Sequence, residues 1–196
     1  MNRETNPRVE DILNFWFGEP EGADCGKPRQ IWFVKNPHFD RKVRSRFYRD
    51  YEEAAAGNLD SWQTAPESCL ALILLLDQFP RNMFRGEERS FATDDKALSA
   101  AQNAVERGFD KEMVPVKRWF IYLPYEHSEN LIHQQQCVAL FEQLAGDPDS
   151  ASTIEYAIRH FQVIQRFGRF PHRNEILGRE NTPEEAEFLK QPGSSF

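Results

Sequence analysis

Two stretches place an Arg-Asn pair behind a Phe-Pro pair, directly in Phe79-Pro80-Arg81-Asn82 and one residue later in Phe170-Pro171-His172-Arg173-Asn174. A guanidinium presents a planar fork of N–H donors that fits a carboxylate or phosphate, and a carboxamide supplies both a donor and an acceptor to orient what the fork holds. The second stretch lies in Arg166 to Arg179, which carries four arginines, Arg169 among them, against one acid, Glu175. These residue types suit recognition of an anion. Internal bridges to the 31 acids of the chain suit them equally on sequence alone.

His127 and His172 are the candidate acid/base groups, because histidine titrates near neutral pH. Cationic neighbours of His172 predict a lowered pKa. Beside His127, Ser128 and Glu129 read as a helix cap and a first-turn acid, which leaves the histidine unexplained. A Ser–His–Asp triad from Ser128, His127 and Asp77 lacks a nucleophile elbow. His127, His160 and His172 lack the paired spacing of metal ligands, so neither a metal nor a cofactor is expected. Asp77 sits near the C-terminus of an apolar helix, where a carboxylate is disfavoured. It calls for a cationic partner: Arg81 four residues on, or Arg169 or Arg173 from elsewhere.

Glycine and proline divide the 196 residues into helical units, and alternating strand-like runs are nearly absent. Apolar spacing predicts helices from Pro7 to Gly18 and from about Phe39 to Ala56, with an irregular arm over 18–38 between them. A third starts at Thr64 with Glu67 as a capping box and is apolar on all sides from Leu70 to Leu76, which marks it as the central buried helix. Thr93 caps a fourth, ending at Gly108. A short fifth follows Pro115 and stops before Pro124. The sixth is capped by Ser128 and ends at Gly146, the seventh runs from about Ser152 to Phe167, and a last short one spans Thr182 to about Lys190, within the tail 180–196. The whole predicts an all-α single domain, 1–196, of antiparallel helical hairpins.

If consecutive helices alternate in direction, the loops Phe79–Thr93, Pro124–Ser128 and Gly168–Arg179 fall at one end. Arg81, Asn82, Arg85, His127, Arg169, His172, Arg173, Asn174 and Arg179 then converge by helix parity, with Asp77 just before the first of these loops.

Hydrophobic residues make up 40% of the chain and charged residues 28%, as in an ordinary globular protein. The formal charge of −7 counts against a general nucleic-acid or anionic-membrane surface. That holds despite the basic stretch Lys27 to Arg49, which reads as a solvated helix face. The opening residues carry no apolar segment, and the longest apolar run, Cys69 to Leu76, falls far short of the roughly 20 residues a span needs. A soluble cytoplasmic protein is expected. Cys69 and Cys137 read as buried small hydrophobes, and Cys25 has no partner at metal-type spacing.

Phe15-Trp16-Phe17-Gly18, Leu75-Leu76-Asp77-Gln78-Phe79-Pro80-Arg81-Asn82, Phe91-Ala92-Thr93-Asp94, Glu126-His127-Ser128-Glu129 and Phe167-Gly168-Arg169-Phe170-Pro171-His172-Arg173-Asn174 together resemble the bacterial domain-of-unknown-function 924 family. The resemblance covers nearly the whole chain. It implies a fold similar to tetratricopeptide-repeat helical proteins and brings no established reaction. The expected function is a module that binds a small anionic ligand or a peptide C-terminus through Asp77, Arg81, Asn82, Arg169, Arg173 and Asn174. Two alternatives stand beside it: a hydrolase-like enzyme using His127 or His172 on an anionic small molecule, and a structural interaction scaffold. Oligomeric state stays open.

Overall fold

Proline opens helix after helix in this chain, because its fixed φ suits the first turn and its missing N–H is not needed there. Helices α1 (Pro7–Phe17), α2 (Pro37–Ala55), α3 (Pro66–Leu76), α6 (Pro115–Glu126) and α9 (Pro183–Phe188) all begin this way. Between them lie α4 (Gln78–Met83), α5 (Asp94–Glu106), α7 (Leu131–Glu142) and α8 (Ala151–Phe167). The computed structural model describes residues 6–22 and 26–195. The opening residues 1–5, Cys25 with the adjoining arm residues 23 and 24, and residue 196 lie outside the described residues. The described residues are helical with no β-strand, and none of their helices is long and apolar enough to cross a membrane.

Helix α3 is the axis of the fold. Its residues from Cys69 to Leu76 are at most 2% exposed, and it packs against α1, α2, α4, α5 and α6. An all-round apolar helix is stable only when neighbours cover every face. At one side of it Phe120 sits edge-on to Trp16, Phe17 and Trp32, with ring centroids 5.6, 5.3 and 4.9 Å away. The irregular arm is tied into this cluster: Trp32 Nε1 donates to Trp16 O at 3.0 Å, and Arg29 donates to the carbonyls of Phe15 and Trp16 at the open end of α1. Trp32 thus covers its own chain, while Phe33 stays 58% exposed. Cys69 and Cys137 are buried free thiols.

Several helix ends differ from the sequence expectation. Thr64 does not cap α3; it closes a 3-10 turn, Asp60–Thr64, with its hydroxyl on Ser61 O. Ser128 and Glu129 precede α7, whose cap is Asn130, accepting from Ile132 N at 2.8 Å. Pro124 does not stop α6, which continues to Glu126. Gln134 satisfies the carbonyls where the helix does end: its Nε2 donates to Glu126 O and Ser128 O at 2.6 and 2.7 Å. Chain beyond Leu76, expected as loop, forms α4. Pro80 has no N–H to offer Leu76 O, four residues back, so the long helix breaks at Asp77 (φ −112°, ψ −63°). Thr93 fills the gap, donating its hydroxyl to Leu76 O at 2.6 Å rather than capping α5.

Removing the hub ring leaves a cavity that its neighbours cannot fill, so Phe120→Ala costs about 3–5 kcal/mol of unfolding free energy. Phe33→Ala, at an exposed position, stays within about 1 kcal/mol of wild type. Urea denaturation of the two variants checks the contrast.

Candidate functional site

The break after Leu76 puts a wholly buried carboxylate between two helices. Asp77 is 0% exposed. Its Oδ1 lies 2.6 Å from His127 Nδ1 and 3.1 Å from Arg81 NH1, and its Oδ2 accepts from Gln78 Nε2 at 2.6 Å. Burial alone would raise its pKa. The Arg81 charge, then His127, and the hydrogen bonds of His127 and Gln78 outweigh burial and hold it at about 2. An ionised carboxylate only accepts, so His127 must donate through Nδ1 and carry its lone pair on Nε2. Burial, followed by the Arg81 charge, lowers the His127 pKa and keeps the ring neutral near pH 7.

Arg81 links this pair to the next carboxylate. NH1 and NH2 fork onto Asp94 at 2.8 and 2.9 Å, while NH1 also donates to Asp77 O at 2.9 Å. Asp94 Oδ2 in turn lies 3.5 Å from Arg173 NH1. The Arg173 guanidinium is held between two rings, 4.7 Å from Phe91 and 4.5 Å from Phe170, and the residue is only 7% exposed. Among the described residues its side chain makes no hydrogen bond, and Nε is buried without a partner. Burial above all, then the Arg81 charge, lowers its pKa to about 10, which leaves it cationic at neutral pH. A cavity of about 360 Å³ is lined by Phe91 together with Glu88, Arg89, Ala92 and Leu177.

The three loops expected to converge do so at Asp77, Arg81, His127 and Arg173. Arg81 pairs with Asp77 as anticipated, but the second partner of Asp77 is His127 rather than Arg169 or Arg173. His172 lies beside Phe170, with ring centroids 5.6 Å apart, and burial followed by the Arg173 charge takes its pKa to about 4. His160 is buried, within 2.9 Å of Tyr156 O through Nδ1, and burial takes it to about 3.

Three other predicted residues face local partners. Arg169 forks onto Glu185 at 2.6 and 2.8 Å. Asn174 accepts from Arg179 Nε at 2.8 Å and donates to Asn181 at 2.7 Å. Asn82 donates to Asp40 Oδ1 at 2.8 Å, alongside Arg85, and so ties α4 to α2. Glu129 is a clamp rather than a first-turn acid: it holds both arms of Arg179 at 2.7 and 2.9 Å and accepts from Phe170 N at 2.7 Å. That clamp fixes the loop that carries Arg173.

Sequence reading missed Glu126, and the argument applied to Asp77 would have found it, since it is a carboxyl at the end of another apolar helix. Glu126 is 4% exposed, its Oε2 has no hydrogen-bond partner among the described residues, and Oε1 is 3.5 Å from His160 Nδ1. Burial, then the Asp77 charge, raises its pKa to about 8, so it keeps its proton at neutrality. Among the described residues no group of three or more His, Cys, Asp or Glu is placed to hold a metal ion.

The raised pKa of Glu126 has a signed consequence. The unfolded chain releases this proton near 4.5 and the folded chain only near 8, so this residue's stabilising contribution is present below about 4.5 and is lost as pH rises through about 8. Glu126→Gln removes that loss. Its urea midpoint exceeds that of wild type at pH 9, and the gap narrows towards pH 5.

A solved structure described as a protein of unknown function from Agrobacterium tumefaciens is similar to this chain. The two share 41% sequence identity, the match covers 93% of this chain and 96% of that one, and the TM-score is 0.82. A comparison with curated proteins finds no match. Residues 12–193, a span that includes every polar group described above, match the family given as bacterial protein of unknown function, DUF924. The chain belongs to that family.

Proposed function

We propose that Arg173 binds the carboxylate of a small molecule or of a peptide C-terminus. The observation that carries this reading is a guanidinium that is nine-tenths buried, gripped by Phe91 and Phe170, and yet makes no side-chain hydrogen bond. A buried donor left unsatisfied costs about 1–3 kcal/mol, more when charged, and an acceptor from outside would relieve that cost.

Charge balance selects the class of anion. Asp77 and Asp94 together balance Arg81 and Arg173, and Glu129 balances Arg179, so the cluster offers spare donors and no surplus positive charge. A carboxylate brings a single negative charge to those donors. A phosphate dianion would bring twice that charge beside Asp77 and Asp94 in a poorly solvated site. Consecutive helices α5–α6, α6–α7 and α7–α8 pack on one another as hairpins, the arrangement that keeps a peptide terminus among the sources of the carboxylate. Arg169 and Asn174, with their local partners, support the loop instead of contacting the ligand.

Calorimetric titration of succinate, inorganic phosphate, a short free-acid peptide and its C-terminal amide tests the reading. Saturable binding of succinate or the free-acid peptide is expected, with none for the amide. Arg173→Lys keeps the charge but loses the fork, which weakens binding about tenfold to a hundredfold. Absence of carboxylate binding, or affinity unchanged in Arg173→Lys, refutes it.

A further inference from the structure

We propose that the same site is catalytic: His127, held by Asp77, acts as a general base that turns water onto the ester or amide carbonyl of a substrate anchored by its own carboxylate on Arg173. This rests on the anion reading above and adds a reaction to it. The geometry of the pair carries the argument. A carboxylate at 2.6 Å from Nδ1, itself fixed by Gln78 and Arg81, locks both the tautomer and the orientation of the imidazole. A solvated surface histidine needs no such support. Nε2 takes no hydrogen bond among the described residues, and the side chain, 13% exposed, is not sealed from solvent. The lowered pKa of His127 keeps that nitrogen unprotonated at neutral pH, as a base requires.

Base and anchor belong to one unbroken chain of contacts. His127 meets Asp77, Asp77 meets Arg81, Arg81 forks onto Asp94, and Asp94 reaches Arg173. The two working ends therefore sit at opposite ends of a four-contact relay with fixed spacing. Other nucleophiles near the pair are engaged elsewhere. The Ser128 hydroxyl lies 2.9 Å from His133 Nδ1, and the Cys137 thiol is buried against Tyr122 O with its pKa pushed well up by burial. Water is the nucleophile that remains.

In the step, His127 Nε2 takes a proton from water as the oxygen bonds to the carbonyl carbon. The carbon–oxygen or carbon–nitrogen bond of the tetrahedral intermediate then breaks, and the leaving atom takes the proton back from the imidazolium. Water is consumed, a carboxylic acid and an alcohol or amine are released, and no oxidant or reductant is required.

The test uses 4-nitrophenyl hydrogen succinate and the uncharged 4-nitrophenyl acetate with the full chain from pH 5 to 9, and succinate titration on each variant. Wild type hydrolyses the carboxylate half-ester with kcat/KM at least about tenfold above that for the acetate, and kcat falls at low pH as Nε2 becomes protonated. His127→Gln lowers kcat about 100-fold or more and binds succinate like wild type, while Arg173→Lys raises KM. Diethyl pyrocarbonate on wild type gives a readout that does not depend on a variant folding: peptide mapping finds His127 modified, and succinate protects it. Succinate binding together with half-ester hydrolysis no faster than in His127→Gln, or a His127 inert to the reagent, overturns the catalytic proposal and leaves the binding reading standing. Half-ester turnover that depends on His127 but shows no preference over the acetate and no succinate binding overturns the anchoring by Arg173 instead.

Discussion

A negative charge with no access to water organises this protein. Asp77 sits where Pro80 interrupts the central helix, and an unpaired carboxylate at that depth would be costly by several kcal/mol. Arg81 approaches it from α4 and His127 from the end of α6, and each arrives with further obligations. Arg81 needs Asp94 to use the rest of its fork, and Asp94 faces Arg173. One buried charge thereby dictates the positions of side chains almost a hundred residues apart in sequence.

The electrostatics of the cluster follow from how unevenly burial is compensated. Asp77 has cationic and hydrogen-bonding partners and stays ionised, whereas Glu126 has neither in sufficient strength and stays protonated. The histidines around them are held neutral chiefly by burial, reinforced by nearby arginines. What results is a region of low solvent access with nearly balanced fixed charges, in which one guanidinium has spare donor capacity.

Aromatic rings set the other limit. Phe91 and Phe170 fix the plane of the Arg173 guanidinium, and Glu129 fixes the loop carrying Phe170 by binding both its backbone N–H and Arg179. Arginine kept rigid by rings and by its neighbours loses little side-chain entropy when it meets a ligand. The asymmetry between Arg173 and the similarly placed Arg169 is instructive: Glu185 lies within reach of one and not the other.

Helix class, the buried central helix and the meeting of three loops at one end were legible in the chain itself, because apolar periodicity and the glycine and proline punctuation between helices are local properties. The need of Asp77 for a partner was also readable, since a carboxylate inside an apolar run is a conflict wherever the helix lies. Partner identity was not. Arg81, Arg169 and Arg173 have the same chemistry, and only their distances to Asp94, Asp77 and Glu185 separate a bridged arginine from one with donors to spare. Helix ends resisted prediction for the same reason. Thr93 and Gln134 satisfy backbone carbonyls 17 and 8 residues away in sequence, a choice set by three-dimensional proximity and not by local spacing.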